Sequence, residues 1–280
     1  MGSMIGAIKK RYSCRTYSSS KVEEVKKQKI QEYLDTNRKG PFGNDARFQM
    51  VDATEDDINE LKKLGTYGNT NGARLYIAGA VKKGEKSMED FGYCMEKNIL
   101  IATDLGLSTL WLGGSLNRSA FASKIGAAAD ELIPAVTPVG YPAEKRSVRD
   151  RLVTVLSSSR KRKNFGEIFF DANFSNPLNE KACGKYIEVL EAVRSAPSAS
   201  NKQPWRIVKE KGKDAFHFYL KENKLYNSIF KDIKLQNMDI GIAMAHFELA
   251  ASELGLQGTW RVSKPGIETG DLQYIASWEA

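Results

Sequence analysis

The chain has 280 residues, 41% of them hydrophobic and 27% charged, with a formal net charge of +8. That length allows one large domain or two ordinary ones, and the composition is that of a globular protein rather than a disordered or fibrous one. No run approaches the roughly 18 apolar residues of a membrane span, and "MGSMIGAIKKRYSC" has no apolar signal core, which speaks against secretion.

The first segment reads as a short helical start followed by an extended stretch, "RYSCRTY" (11–17). There Arg11, Ser13 and Arg15 alternate, so they share one side. Ser20-Lys21-Val22-Glu23 has the pattern of a capping box and predicts a surface helix. Strands are expected at "RFQMV" (47–51) and "RLYIAGAV" (74–81). A helix apolar on most of its circumference covers 89–105, ends at a glycine cap, Gly106, and enters the strand "LSTLWLGG". "VTPVGY" (136–141) is another strand. The densest basic run, Arg160-Lys161-Arg162-Lys163, reads as a linker.

Beyond it, "NEKACGKYIEVLEAV" (179–193) predicts a second surface helix. "APSASNKQPW" (196–205) then places Ser198, Ser200, Asn201 and Gln203 between two prolines, more hydrogen-bonding chemistry than a turn needs. "WRIV" (205–208) and "FHFYLK" (216–221) are strands, and His217 on the second is expected to face solvent. A buried helix over 238–254 carries His246 as a packed core residue and ends at Gly255. "LQGTWRV" and "LQYIASW" (272–278) complete the strands.

The chain repeats itself. "EDFGYCMEKNILIATDLGLSTLW" (89–111) and "MDIGIAMAHFELAASELGLQGTW" (238–260) align without a gap, with nine of 23 positions identical. The identities include Asp90/Asp239, Gly92/Gly241, Met95/Met244 and Trp111/Trp260. The strands around each copy match more loosely. The reading is an α+β chain of two halves, roughly 1–155 and 165–280, the second truncated at its C-terminus. Each half has a small sheet and one long buried helix, and the two helices pack together as in a two-fold dimer.

Four motifs resemble the FMN-dependent nitroreductase family. "RYSCRTY" resembles its Arg-Arg-Ser-x-Arg opening. "GLSTLWLGG" resembles its strand leading to the flavin, and "VGYPAEKRSVRDR" its Gly-Tyr-Pro segment with paired basic residues. "APSASNKQPW" resembles its Pro-Ser-x-x-Asn-x-Gln-Pro-Trp loop. The duplication resembles a subgroup of nitroreductases in which two protomers are fused. The fold this implies is the nitroreductase fold, as an internal pseudo-dimer.

The resemblance assigns the site residues. Arg11, Tyr12 and Ser13 would lie at the flavin phosphate, with Arg149 and Arg151 as the basic pair that also grips it. Arg15 would reach the N1/O2 edge of the ring. Leu112, Gly113 and Gly114 would lie beside N5, where glycine permits close backbone approach. Pro197, Ser198, Ala199 and Asn201 would close over the ring edge and ribityl chain. Arginine forks suit a dianionic phosphate, because they donate parallel charge-assisted bonds. The first half has "GPFGNDARF" where the second has "PSASNKQPW", and the second has "RKNFGEIF" where the first has Arg-x-Ser-x-Arg. One composite site is therefore expected to be complete.

The resemblance implies an FMN oxidoreductase that takes hydride from NADH or NADPH and reduces a nitroaromatic, quinone or similar small-molecule acceptor. No Ser-His-Asp pattern, carboxylate pair or metal spacing stands out, which suits an enzyme whose cofactor carries the chemistry. A flavin-binding protein without NAD(P)H turnover remains open, and so does a basic nucleic-acid binder, although the scattered charges argue against nucleic acid. Cys14, Cys94 and Cys183 form neither a zinc spacing nor a disulfide framework and fit a reducing cytoplasm. A monomer is expected, because the dimer architecture lies within one chain.

Overall fold

A computed structural model describes residues 2–53, 55, 58–66, 69–114, 116–144, 161–223 and 232–280. In chain order the elements are α1 (Met4–Lys10), α2 (Glu24–Thr36), β1 (Ala46–Asp52), α3 (Ile58–Lys63), β2 (Leu75–Lys82), α4 (Ser87–Asp104), β3 (Ser108–Thr109), α5 (Arg118–Lys124), β4 (Glu131–Leu132) and β5 (Val136–Gly140). They continue with α6 (Phe165–Ile168), β6 (Phe169–Asp171), α7 (Ile187–Arg194), β7 (Trp205–Lys209), β8 (Ala215–Leu220), α8 (Leu235–Glu253), β9 (Thr259–Arg261) and β10 (Gln273–Glu279).

The strands form two sheets of matching design. One runs β1-β2-β5-β3, with β4 beside β2, and the other runs β6-β7-β8-β10-β9. All pairs are antiparallel except β6 with β7. Without β4 and β6 the two orders correspond strand for strand, in the places the sequence repeat assigns. The fold is α+β.

Helix α4 packs on the first sheet, α8 on the second, and the two helices pack on each other. Both are apolar almost all round and therefore buried. Their closest approach uses the repeated glycines. A Cβ at Gly92 would run into the Met238 carbonyl, and one at Gly241 into the Glu89 carbonyl. These two contacts are the same contact seen from each copy of the repeat, which is how a two-fold interface works. Each helix stops at its glycine. Gly106 has φ +80° and Gly255 φ +72°, and the Leu107 and Leu256 N–H groups donate back to Ala102 and Ala251 at 2.9 and 2.8 Å. That is the left-handed cap in which glycine avoids a Cβ penalty.

Three local expectations fail for reasons that lie far away in the chain. Helix α2 begins at Glu24, and no side chain caps it. The Glu23 carboxylate instead accepts from the Tyr141 hydroxyl at 2.6 Å, so the expected capping box at Ser20–Glu23 does not form. The capping box that does form is Asn164 with Glu167. Segment 179–193 is not one surface helix. A 3-10 turn over Glu180–Tyr186 breaks at Gly184 (φ 56°, ψ −132°), and α7 follows with Val189, Leu190, Ala192 and Val193 buried. His217 does not face solvent. It is buried, with Nδ1 2.7 Å from Ser277 Oγ on β10, and burial lowers its pKa.

Candidate functional site

Arg11 ends α1, and the backbone turns extended there. The arm is held against β3: Ser13 bridges Thr109, and the Cys14 N–H donates to the Thr109 carbonyl at 2.9 Å. Cys14 and Thr16 are buried, while Arg11, Ser13 and Arg15 are half-buried as whole residues, so alternation separates them from the two core residues. Tyr12 is exposed. The Arg11 side chain is only 5% exposed and its Nε lies 3.8 Å from Glu96 on α4. Burial lowers its pKa, and Glu96 opposes that shift. Its Nε has no hydrogen-bond partner within the protein.

Strand β3 leads directly into Leu112, Gly113 and Gly114. Leu112 bridges Val136, with mutual N–H to carbonyl bonds of 3.0 and 2.9 Å. Arg118 Nη2 donates to the Gly113 carbonyl. A Cβ on Gly113 would lie 3.0 Å from Leu235, the first residue of α8, while one on Gly114 would meet open space. The Gly-Gly pair thus abuts the N-terminal end of α8.

The loop 197–203 is hung from that same end. Asp239, one turn into α8, accepts the Ala199 N–H at 2.9 Å. The backbone is strained: Ser200, Asn201 and Gln203 have φ of 48°, 54° and 48°. Three of the five non-glycine residues with positive φ among the described residues therefore sit here. Such strain costs on the order of 1–3 kcal/mol per residue and persists where surrounding bonds enforce it. Those bonds are present. Ser198 Oγ accepts from the Gln203 N–H at 2.8 Å, and Asn201 Nδ2 donates to the Lys161 carbonyl at 2.8 Å. The Asn201 amide is thus engaged by the 161–162 segment, whereas Ser198 keeps its hydroxyl hydrogen for another acceptor.

Two residues that sequence reasoning passed over belong here. Arg162, inside the presumed linker, turns inward. Its Nη2 donates to the Ser195 carbonyl at 2.9 Å and its Nη1 to Asn201 Oδ1 at 3.3 Å. Burial first, then the charges of Arg11 and Arg194, lower its pKa to about 10. Arg11 from the N-terminal arm and Arg162 beside the loop therefore share one positive environment. The signal existed in the sequence, since "RKNFGEIF" keeps the first arginine of the arm's pattern while losing the rest. The other residue is Asp239. Burial raises its pKa to about 8, and its Oδ2 is buried with no partner.

The Gly-Gly exit and the loop thus gather at the start of α8, while the arm lies against β3 with Arg11 near Glu96 in the middle of α4. Arg149 and Arg151 lie outside the described residues. Among the described residues no His, Cys, Asp and Glu cluster could hold a metal ion, and no helix is long and apolar enough to cross a membrane. The three cysteines are buried, and none forms a disulfide. A groove of about 600 Å³ lined by Tyr33, Arg38, Lys39 and Lys97 lies on the surface away from this cluster.

No curated protein matches the chain in sequence. Among solved structures, a putative nitroreductase of Thermotoga maritima is similar over 99% of this chain and 93% of its own, at 19% identity and a TM-score of 0.63. A nitroreductase family protein of Clostridium difficile matches 54% of this chain and 90% of its own, at 22% identity and a TM-score of 0.41. An FMN-dependent nitroreductase of the same species matches 51% and 90%, at 22% identity and a TM-score of 0.40. The family described as "Putative TM nitroreductase" matches residues 3–251. The chain belongs to that nitroreductase family and is an oxidoreductase of its kind.

Proposed function

We propose that the chain binds FMN and is an NAD(P)H-dependent oxidoreductase built as a fused pseudo-dimer. Its halves are 1–155 and 165–280, with one composite flavin site between them. The observation that carries this reading is the placement of two arginines: Arg11 on the arm, its side chain 5% exposed, and Arg162, bonded to Ser195 and to Asn201 of the loop hung from α8. Arg11, buried, and Arg162, half-buried, are like charges held partly out of water, an arrangement that favours an anion beside them. The Arg11 Nε, 3.8 Å from Glu96, makes no hydrogen bond within the protein and is a donor still to be satisfied. A phosphate meets both needs.

In this reading Arg11 and Ser13 bind the phosphate, with Arg149 and Arg151 completing its charge. Arg15, on the same side of the arm, would hold the pyrimidine edge of the ring, where its fixed positive charge would favour electron uptake. Gly113 and Gly114 let the ring approach the backbone. Loop 197–201 covers the ribityl chain with backbone groups and the Ser198 hydroxyl. Bound FMN would supply two-electron chemistry, with NADH or NADPH as the hydride donor and a nitroaromatic, quinone or similar small molecule as the acceptor. The protein's part is to bind, orient and set the charge.

The test is the visible spectrum of the purified protein, followed by stopped-flow mixing with NADH and NADPH. An oxidised-flavin spectrum that bleaches on mixing supports the reading. A colourless protein that takes up no FMN refutes it. A flavin that NAD(P)H cannot reduce leaves a binding protein without turnover.

A further inference from the structure

Glu96 lies in the middle of α4, wholly buried, and three groups converge on it. Trp111 Nε1 donates to Oε2 at 2.6 Å. Arg11 Nε lies 3.8 Å from Oε1. On the other central helix, His246 Nε2 lies 2.9 Å from the same Oε1. The second nitrogen of that imidazole, Nδ1, is 2.8 Å from the Ala192 carbonyl in the last turn of α7. Three residues further on, Ser195 accepts from Arg162 and the loop begins.

The protons can be counted from these contacts. A carbonyl oxygen only accepts, so Nδ1 carries a hydrogen. Nε2 faces a carboxyl oxygen, so a proton lies between them as well, because two lone pairs facing each other in a dry core would be costly. The pair holds one proton more than a neutral imidazole beside a carboxylate. Its net charge is zero wherever that proton sits. The positive charge of Arg11 is consequently left without a full counter-ion, although a buried carboxyl is its neighbour.

We propose that His246 is a positioning residue for the flavin phosphate, acting through Glu96 and Arg11. It ties the arm to the helix that carries the loop, and it prevents Glu96 from neutralising Arg11. Without His246, Glu96 would become the full counter-ion of Arg11, and the phosphate would compete with it. This inference rests on the FMN reading. A mere core ion pair, the alternative, would matter for stability and be indifferent to the phosphate.

The test is titration of the apoprotein with FMN and, separately, with riboflavin, which lacks the phosphate. His246→Gln weakens FMN roughly tenfold or more, the value of one charge-assisted contact, and leaves riboflavin nearly unchanged. Adding Glu96→Gln to it removes the competing negative charge and recovers FMN affinity. Equal losses for both flavins, or a double variant no better than the single, would overturn the proposal. If wild-type protein binds neither flavin, the functional reading fails and this one with it. If wild type binds FMN and the single variant binds it as well, only this one fails. Should the variant not fold, nitrogen-15 histidine spectra of the wild type decide. The chain has two histidines, and the pair at His246 should show two slowly exchanging downfield protons, whereas one would refute the proton count.

Discussion

Asp239 is the buried group whose removal gives the clearest reading. Burial pushes its carboxyl up from the ordinary 3.8 to about 8, with the Ala199 N–H pulling the other way. The folded state therefore binds this proton more tightly than the unfolded chain. Stability from this group is greatest below about pH 4, falls as the pH rises to about 8, and is level above that. At about 1.4 kcal/mol per unit, the window is worth roughly 6 kcal/mol as a ceiling. Buried carboxyls relax and admit water, so about 3 kcal/mol is the working figure. Asp239→Asn is the matched perturbation. Its amide oxygen still accepts the Ala199 N–H, and its NH₂ replaces the protonated Oδ2. Urea unfolding at about pH 4 and about pH 8 measures the difference. Variant and wild type should lie close at the lower pH, and the variant should be more stable by about 3 kcal/mol at the higher. Parallel profiles across the window would show that Asp239 is not a buried, proton-holding carboxyl, and the reasoning would fail.

Three further outcomes are expected. Gly241→Ala forces its methyl into the Glu89 carbonyl, and should cost about 1–3 kcal/mol or more by thermal unfolding, with Gly92→Ala similar. Arg162→Ala should lower FMN affinity of the apoprotein by roughly tenfold, measured by flavin fluorescence, and an unchanged affinity would remove Arg162 from the site. Flavin released on denaturation should amount to one per chain, with light scattering giving the mass of a single chain. Two flavins per chain would refute the single composite site.

The elements legible in the sequence are those whose causes are local. Helices α4 and α8 are apolar on nearly every side and end in Leu-Gly-Leu, so burial and the glycine cap follow from adjacent residues. The strands show the same independence. What the sequence concealed depends on distant partners. Glu23 cannot serve a capping box because Tyr141 holds its carboxylate. His217 is buried because β10 lies beside β8 and supplies Ser277. Arg162 looked like part of a linker's basic run, and only the placement of Ser195 and Asn201 turns it inward. The repeat displayed Asp90 and Asp239 as matching letters. Their task, holding a loop, became visible once the loops were in place.

Those two aspartates occupy the same position of the repeat and differ in how their oxygens are used. Asp90 Oδ1 accepts the Phe42 N–H at 2.9 Å, and Oδ2 accepts the Asn44 N–H and side-chain amide at 2.8 and 2.9 Å. A Cβ on Gly40 would run into the Asp90 carboxylate, so glycine at 40 lets this loop settle onto its helix. The loop over Asp239 contains no glycine. It is propped open by Ser200 and Asn201 in the left-handed region, and it gives the carboxyl one N–H instead of three. A buried polar oxygen without a partner costs about 1–3 kcal/mol. At a closed end of the molecule nothing would offset that cost, and Asp90 accordingly has its partners. At an end that receives a ligand, an incompletely satisfied loop leaves backbone and side-chain groups to turn toward the incoming molecule. The hydrogen-bond accounting thus favours the Asp239 end as the binding end, independently of which motif each half has retained.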